Sequence, residues 1–397
     1  MPFNRTIVTI ALSLIAFTEH AQTKLSGEDA VQRALSLNPQ LKVAQLRSQQ
    51  NAQLQKAAVD IPNPEVTLES PSGQFMTVGV LQSFSFPGVY IKQKNLSRQT
   101  TDLSNTAEII ATNDVRQQVL RAYLEVQFYQ ILVNQMQQLD SAFAAIEGSA
   151  LRQFEVGDID ATTRTYAEIQ RGEAGRRLSD VRAELNAAMA TLQVLTGISD
   201  NIEADDLMEY TPVTSLLNNT QGATLTNQSL FIRYAEQNQQ IAKTSLSVQK
   251  QKALPGLAIG YLNQGSRDTP ANLRLRAGIT LPLWWWQYNG KINAAKTEIK
   301  IAEEQRNQQA QQISLLLNAR VSDYFKYKFS LNYFEEKGLS LSQTLIDNSR
   351  RMFDAGSIDY ISHLRNLNEA QSQQRNYYET LYNLDLAVIE INYITAQ

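Results

Sequence analysis

Two matching glycine turns carry the residues best placed for chemistry. Arg152, Asp158 and Asp160 surround Gly157, and Arg351 and Asp359 surround Gly356. Carboxylates at a turn do one of two jobs. Several converging on an axis attract cations and hold a gate, whereas a single aspartate after a turn glycine caps the next helix. Both readings stand for Asp158, and the cap is preferred for Asp160 and Asp359. Arg152 and Arg351 either pair with these acids or answer the dipole of a last helical turn. Other chemistry is thinly supplied. Zero cysteines exclude disulfides, thiolate metal ligands, a cysteine nucleophile and a lipidated N-terminal cysteine. His20 and His363 are the only imidazoles, too few for a metal site. Met76, Met136, Met189, Met208 and Met352 are scattered without ligand spacing and read as packing, not as soft-metal ligands. We find no catalytic constellation, no cofactor site and no metal site. A net charge of −3 offers no basic patch for nucleic acid.

These turns must be held by long helices. Val89 to Glu147 is a run without proline or glycine up to Glu147, long enough for one helix of roughly 90 Å. Within it Val115, Val119, Ala122, Val126, Tyr129, Val133 and Met136 follow the 4-3 spacing of a coiled-coil seam. Leu120, Leu124, Phe128 and Ile131 form a second seam, so the rod expects two neighbouring helices. A second rod, Lys291 to Lys337, carries Ile313, Leu317, Arg320, Tyr324, Tyr327, Leu331 and Phe334 at the same spacing. Before each rod lies a predicted β-hairpin, at about 65–86 and about 257–281, with apolar residues on alternate positions. Shorter helices precede the hairpins, the first broken at Asn38-Pro39, and others follow each glycine turn. At the N-terminus Arg5 precedes an apolar run from Ile7 to Phe17, the layout of a signal peptide cut near Ala21, with His20 leaving alongside it.

The two halves repeat. Phe154, Gly157, Ile159 and Asp160 match Phe353, Gly356, Ile358 and Asp359 at an offset of 356 − 157 = 199, and Leu185, Ala188 and Thr196 match Leu384, Ala387 and Thr395. We divide the chain into a signal peptide (1–21), a first repeat (22–197), a connector (198–227) and a second repeat (228–397), each repeat reading helix, hairpin, rod, turn, helix. No stretch reaches the ~18 apolar residues of a membrane helix, so any membrane passage uses the strands. Four strands cannot close a barrel, since the smallest need about eight. Oligomerisation must supply the rest, and three copies give twelve.

This order of elements resembles the outer-membrane efflux protein (TolC-like) family. So do Asn38-Pro39, Phe86-Pro87 and Leu281-Pro282 after the hairpins, and the two Phe-x-x-Gly turns. The resemblance implies a mainly α fold with a small transmembrane β part: a homotrimer whose tandem-duplicated helical hairpins form a periplasmic tunnel topped by a shared 12-stranded barrel. It also implies a location in the outer membrane, among its lipids, and two partners, a periplasmic adaptor (membrane fusion) protein and an inner-membrane pump. It implies no enzymatic reaction. The compact length, the Gln82-Ser83-Phe84-Ser85-Phe86-Pro87 run and the short C-terminus resemble members serving heavy-metal pumps of the resistance-nodulation-division class. The chain departs from the family's drug-exporting pattern where aspartates follow the second turn glycine by six and nine positions, since Ser362 and Arg365 stand there.

On this resemblance Asp158, Asp160, Asp359, Arg152 and Arg351 become candidates for a periplasmic gate, with threefold symmetry turning each inward acid into a ring. Phe154, Gly157, Phe353 and Gly356 become the tips that meet the adaptor, though the glycines need only supply φ > 0. Phe84, Phe86, Trp284, Trp285, Trp286 and Tyr288 become an aromatic belt where barrel meets periplasm. A soluble coiled-coil scaffold would share the rods but would not need two amphipathic hairpins.

Overall fold

The computed structural model describes residues 23–70, 76–200, 202–207, 210, 229–263, 270 and 274–395. The expected signal peptide, the hairpin turn Pro71-Ser72-Gly73, the turn from Gly265 up to Pro270, Met208 and most of the connector lie outside the described residues.

The chain opens with strand β1 (Thr23–Leu25), then helices α1 (Gly27–Leu37) and α2 (Pro39–Lys56). Ser26 caps α1 by accepting the Asp29 N–H, and the Asn38 side chain accepts the N–H groups of Gln40 and Leu41 with Pro39 in the first turn of α2. The break at Asn38-Pro39 is therefore a cap followed by a proline that needs no N–H. Strands β2 (Glu65–Glu69) and β3 (Thr77–Phe84) lead to the first rod, α3 (Pro87–Glu155), and the return helix α4 (Ala161–Thr196). Strand β4 (Ile202–Ala204) precedes the second series, α5 (Leu230–Lys252), β5 (Gly256–Leu262) and β6 (Leu275–Thr280). The second rod follows as α6 (Trp285–Tyr333), a π-helical turn (Phe334–Gly338) and α7 (Leu339–Asp354). The last helix is α8 (Tyr360–Thr395).

The two seams of the first rod go to different neighbours. Val115, Val119, Ala122 and Val126 pack with Ala30, Val31, Ala34, Ala188 and Leu192 of α1 and α4. Leu124, with Leu120 and Ile131 beside it, packs with Leu317, Leu384, Val388 and Ile391 of the second half. A polar bridge crosses that second interface. Glu390, nearly buried, accepts from Gln117 and Arg121, each at 3.1 Å, and the Tyr393 hydroxyl donates to Asp114 at 2.7 Å. Hydrogen bonds from long side chains fix which way two smooth apolar helices slide past each other.

The second rod departs from the expected uninterrupted α-helix, and the reason is arithmetic. Its seam matches that of α3 at an offset of 198 (313 − 115, 317 − 119, 331 − 133), and the rod starts agree, since 285 − 87 = 198. The tip residues match at 199. The second rod, Trp285–Asp354, is thus one residue longer than the first, 70 residues against 69. The π turn lies where the two offsets meet. Its wider ring absorbs one residue without rotating the helix that follows. Gly338 makes room, because a Cβ there would stand 2.8 Å from the Phe334 ring.

Within the described residues of the connector, Ile202–Ala204 form a strand. β4 pairs in parallel with β1, Thr23 opposite Ile202 and Leu25 opposite Ala204. The rod staples this pair. The Tyr123 hydroxyl donates to the Leu25 carbonyl (2.8 Å) and accepts the Asp205 N–H (2.9 Å), while Gln127 donates to the carbonyls of Asp205 and Asp206. Burial pushes the Tyr123 hydroxyl up to about 12. Tyr123→Phe strands both backbone groups and should cost about 1–3 kcal/mol, read as a lower denaturation midpoint with an unchanged slope.

Candidate functional site

Two regions can do work, a sheet at one end of the rods and a pair of turns at the other. The sheet has the order β2-β3-β5-β6, every pair antiparallel. Side chains on one face follow the pairing: Val66, Val80, Tyr261 and Leu275 stand in one row, and Gln82, Ile259 and Ala277 in the next, then Phe84, Leu257 and Ile279. This face is apolar and exposed, with Val66 at 65%, Ile259 at 58% and Ile279 at 67%. The opposite face is mostly small or polar, with Leu81 and Leu262 as its large apolar side chains. Glu65, Leu81, Gly260 and Arg276 form one row, and Ser83, Ala258 and Gly278 another. Close packing on that side needs glycine: a Cβ on Gly79 would lie 2.5 Å from the Thr67 hydroxyl and one on Gly260 2.8 Å from the Val80 carbonyl oxygen. An apolar face left to solvent and a polar face with little side-chain volume form the two surfaces of a barrel wall. Among the described residues both outer strands, β2 and β6, keep an open edge. The strands hold 5, 8, 7 and 6 residues.

Below the sheet Phe86 precedes α3 and Trp284 precedes α6, equivalent places at the 198 offset. Trp285 and Trp286 lie inside the first turn of α6, not in a loop after the strand. All three tryptophans are more than half exposed, and the ring centres of Trp284 and Trp286 are 5.2 Å apart. A cavity of about 380 Å³ brings Phe84, Phe86 and Tyr288 together with Lys252 and Lys291.

At the far end the two turns have the same construction. Asp158 N–H bonds to the Gln153 carbonyl and Gly157 N–H to that of Phe154, and Ser357 and Gly356 repeat this onto Met352 and Phe353. These are Schellman closures, which need a left-handed residue, and Gly157 (φ 84°) and Gly356 (φ 67°) supply it. Asp160 accepts the Thr163 N–H at 2.7 Å and Asp359 the Ser362 N–H at 2.8 Å. Hydrogen bonds to the N–H and side chain of Thr163, and of Ser362, hold both carboxyls below the usual range. Both are N-caps. Asp158 is exposed and offers no cap. Among the described residues no ion pair joins Arg152 or Arg351 to these aspartates; their carbonyls close the turns by accepting from Val156 and Ala355. The two turns share one apolar cluster, in which Ala150, Ile159, Phe353, Tyr360 and Leu364 meet.

The phenylalanines differ in what covers them. Arg164 lies over the Phe154 ring at 5.3 Å, and at the equivalent position, 164 + 199 = 363, His363 stacks on Phe353 at 4.6 Å and 6°. His363 is buried, its Nδ1 2.9 Å from the Ser349 hydroxyl, and the Asn366 side-chain amide donates to that hydroxyl oxygen at 3.1 Å. This clasp was not foreseen. Its signal was spacing, for Ser349 and His363 each stand seven residues from Gly356, and residues equidistant from a tight helical turn face one another.

Burial lowers the His363 pKa, opposed by the Asp354 charge and a hydrogen bond with the Ser349 backbone. The neutral ring is therefore favoured by folding. The unfolded chain takes up the proton first, so this stability is present above about pH 6.5 and is lost as pH falls through the lower folded value. Melting temperatures measured between pH 7.5 and 5 should fall further for the natural chain than for His363→Asn.

No protein-family model and no curated protein matches the sequence. The fold is that of outer-membrane channels, a long helical body with a small β part. The outer-membrane channel OprN superposes with a TM-score of 0.78 at 14% identity over 93% of this chain and 89% of its own. The Campylobacter jejuni outer membrane channel CmeC gives 0.76 at 13%, covering 93% and 85%, and CusC, a protein that forms a transmembrane channel, gives 0.75 at 14%, covering 93% and 91%. Among the described residues no helix is long and apolar enough to cross a membrane, and no three His, Cys, Asp or Glu side chains gather as a metal site would require.

Proposed function

We propose that this chain is the outer-membrane duct of a tripartite efflux system, a homotrimer that conducts passively and catalyses no reaction. The observation that carries this reading is the sheet, whose exposed face is apolar on all four strands apart from Gln82, while its other face is mostly small or polar. A soluble scaffold would bear the cost of that exposed face without return, and its chain would leave membranes without detergent. The two repeats, 22–197 and 228–397 with the connector between, each contribute one hairpin to a shared barrel and one helical hairpin to a tunnel. The glycine tips meet an adaptor, beyond which stands a resistance-nodulation-division pump. The tryptophan cluster with Phe84, Phe86 and Tyr288 lies in the inner boundary of the membrane.

Asp158 is the preferred gate acid, because Asp160 and Asp359 already serve as caps. Asp160→Asn keeps a cap while removing the charge, as Asp158→Asn removes a charge that caps nothing. We expect resting conductance across planar bilayers to rise for Asp158→Asn and to stay unchanged for Asp160→Asn. For cargo, the sequence resemblance favours heavy-metal cations over organic compounds. A strain lacking the gene should lose tolerance to copper, silver, zinc, cobalt or cadmium salts and recover with the intact gene. Loss of tolerance to dyes, detergents and antibiotics alone would overturn the metal assignment and leave the duct standing.

A further inference from the structure

Next to the sheet the helices carry charge of one sign. The first twelve residues of α3 and of α6 and the last twelve of α5 hold eight lysines and arginines and no acid. Lys56 closes α2, and Asp60 is the one carboxylate in the links between these helices and the strands. Nine cations thus meet one acid, in a chain where acids outnumber lysine and arginine by 39 to 36. All nine are exposed save the half-buried Lys92, and among the described residues none of them makes an ion pair. We propose that these helix ends form a basic collar for the phosphate headgroups of anionic phospholipid, with one headgroup seated in the cavity between Lys252 and Lys291. This rests on the channel reading above, which sets the apolar face of the sheet against lipid.

The cavity has the layout of a lipid. Phe84, Leu254 and Leu281 give it an apolar side, and Lys252 and Lys291 a charged one. Leu281 stands two residues after Ile279, so it continues the apolar face of the sheet. Lys252 ends α5 and Lys291 lies in the second turn of α6. Lys250, Lys92 and Lys94 follow within about two helical turns, roughly 11 Å. A headgroup layer is about 5–7 Å deep on each side of a bilayer, and a lysine stem that lies along apolar surface spans the difference. The sign of the charge decides which lipid. A zwitterionic surface gives no reason to keep carboxylates out of three helix ends, whereas an anionic one repels them and attracts clustered lysine. Lysine meets phosphate as a point charge without demanding one geometry, so the collar selects a charge class of headgroup. Free inorganic phosphate would need only the two lysines of the cavity, and neither the apolar side nor the other seven cations.

The chain holds only three tryptophans, Trp284, Trp285 and Trp286, at the start of the helix that carries Lys291, so their fluorescence reports on the collar. The full-length protein is reconstituted into vesicles in which either phosphatidylcholine or phosphatidylglycerol carries bromine on its acyl chains, and quenching is titrated. Phosphatidylglycerol should be preferred by about fivefold or more, the contribution of one lysine beside an anionic surface, and the preference should weaken as salt rises. Lys250→Gln, Lys252→Gln and Lys291→Gln together should bring the two lipids level. Equal quenching by both lipids in the natural chain, or a preference that survives in the triple variant, would overturn the collar and leave the channel. If the triple variant does not reconstitute, the natural chain decides, since a preference that salt does not weaken overturns the collar. Inorganic phosphate that abolishes the preference at constant ionic strength would overturn the lipid in favour of a free-phosphate site. No quenching by either brominated lipid would instead overturn the channel reading on which the collar rests.

Discussion

Deleting Glu336 should leave the protein folded and its tips in place, whereas deleting Gln311 should abolish folding. Both residues are exposed on the same rod, so neither loss removes a buried contact. The difference lies in rotation. Removing one residue from an α-helix turns everything beyond it by about 100° relative to everything before. At Gln311 that rotation displaces Ile313, Leu317, Tyr324 and Leu331 from the cluster they share with α8. Four such side chains at about 1.5–3 kcal/mol each amount to about 6–12 kcal/mol, comparable with the whole stability of a domain. At Glu336 the π turn already holds one residue too many. Its loss converts Phe334–Gly338 to ordinary helix, brings the second rod from 70 residues to the 69 of the first, and leaves Arg351, Phe353 and Gly356 facing as before. Circular dichroism melts and detergent sizing of the two deletion variants check this. Equal damage from both would show that the π turn is not a removable insertion.

The second large effect is expected from two neighbouring residues. Ala277→Arg should block stable membrane assembly, and Gly278→Arg should permit it. These positions sit at almost the same depth but on opposite faces of β6. Arginine turned toward lipid costs about 2–4 kcal/mol near the bilayer midplane, and the proposed trimer would meet that cost three times. On the other face Arg276 is already accommodated, and a Cβ at Gly278 would lie 3.8 Å from the Ala258 Cβ, an ordinary contact. Outer-membrane fractionation and resistance to dissociation in detergent would measure the contrast. A chain that tolerates both arginines would not use this face against lipid.

Much of this was legible because it repeats or alternates. Apolar residues on alternate positions, such as Val78, Val80, Phe84 and Phe86, announced strands, 4-3 spacing announced the rods, and Gly157 and Gly356 announced turns that only glycine closes without strain. The π turn was hidden in plain numbers, since seams at 198 and tips at 199 already implied one inserted residue. Pattern reading assigns a face to each residue and is blind to a change of pitch that preserves the face. The β1–β4 pair was missed because three residues are too few to alternate. What holds them is Tyr123, Gln127 and Gln130 on a helix 98 residues from Leu25 and more than 70 from Ile202 in sequence. The aspartates show the opposite case, where residue type and place after a turn glycine pointed to caps and Asp160 and Asp359 make those cap hydrogen bonds.

That three-residue pairing also has a span. Thr23 and Ile202 lie 202 − 23 = 179 residues apart, so their pairing closes a loop of that length. Because the Tyr123 hydroxyl bridges the two strands, the staple requires the α3/α4 hairpin to have turned back on itself, and the β1–β4 clasp is a latch that ties the start of the first repeat to its end.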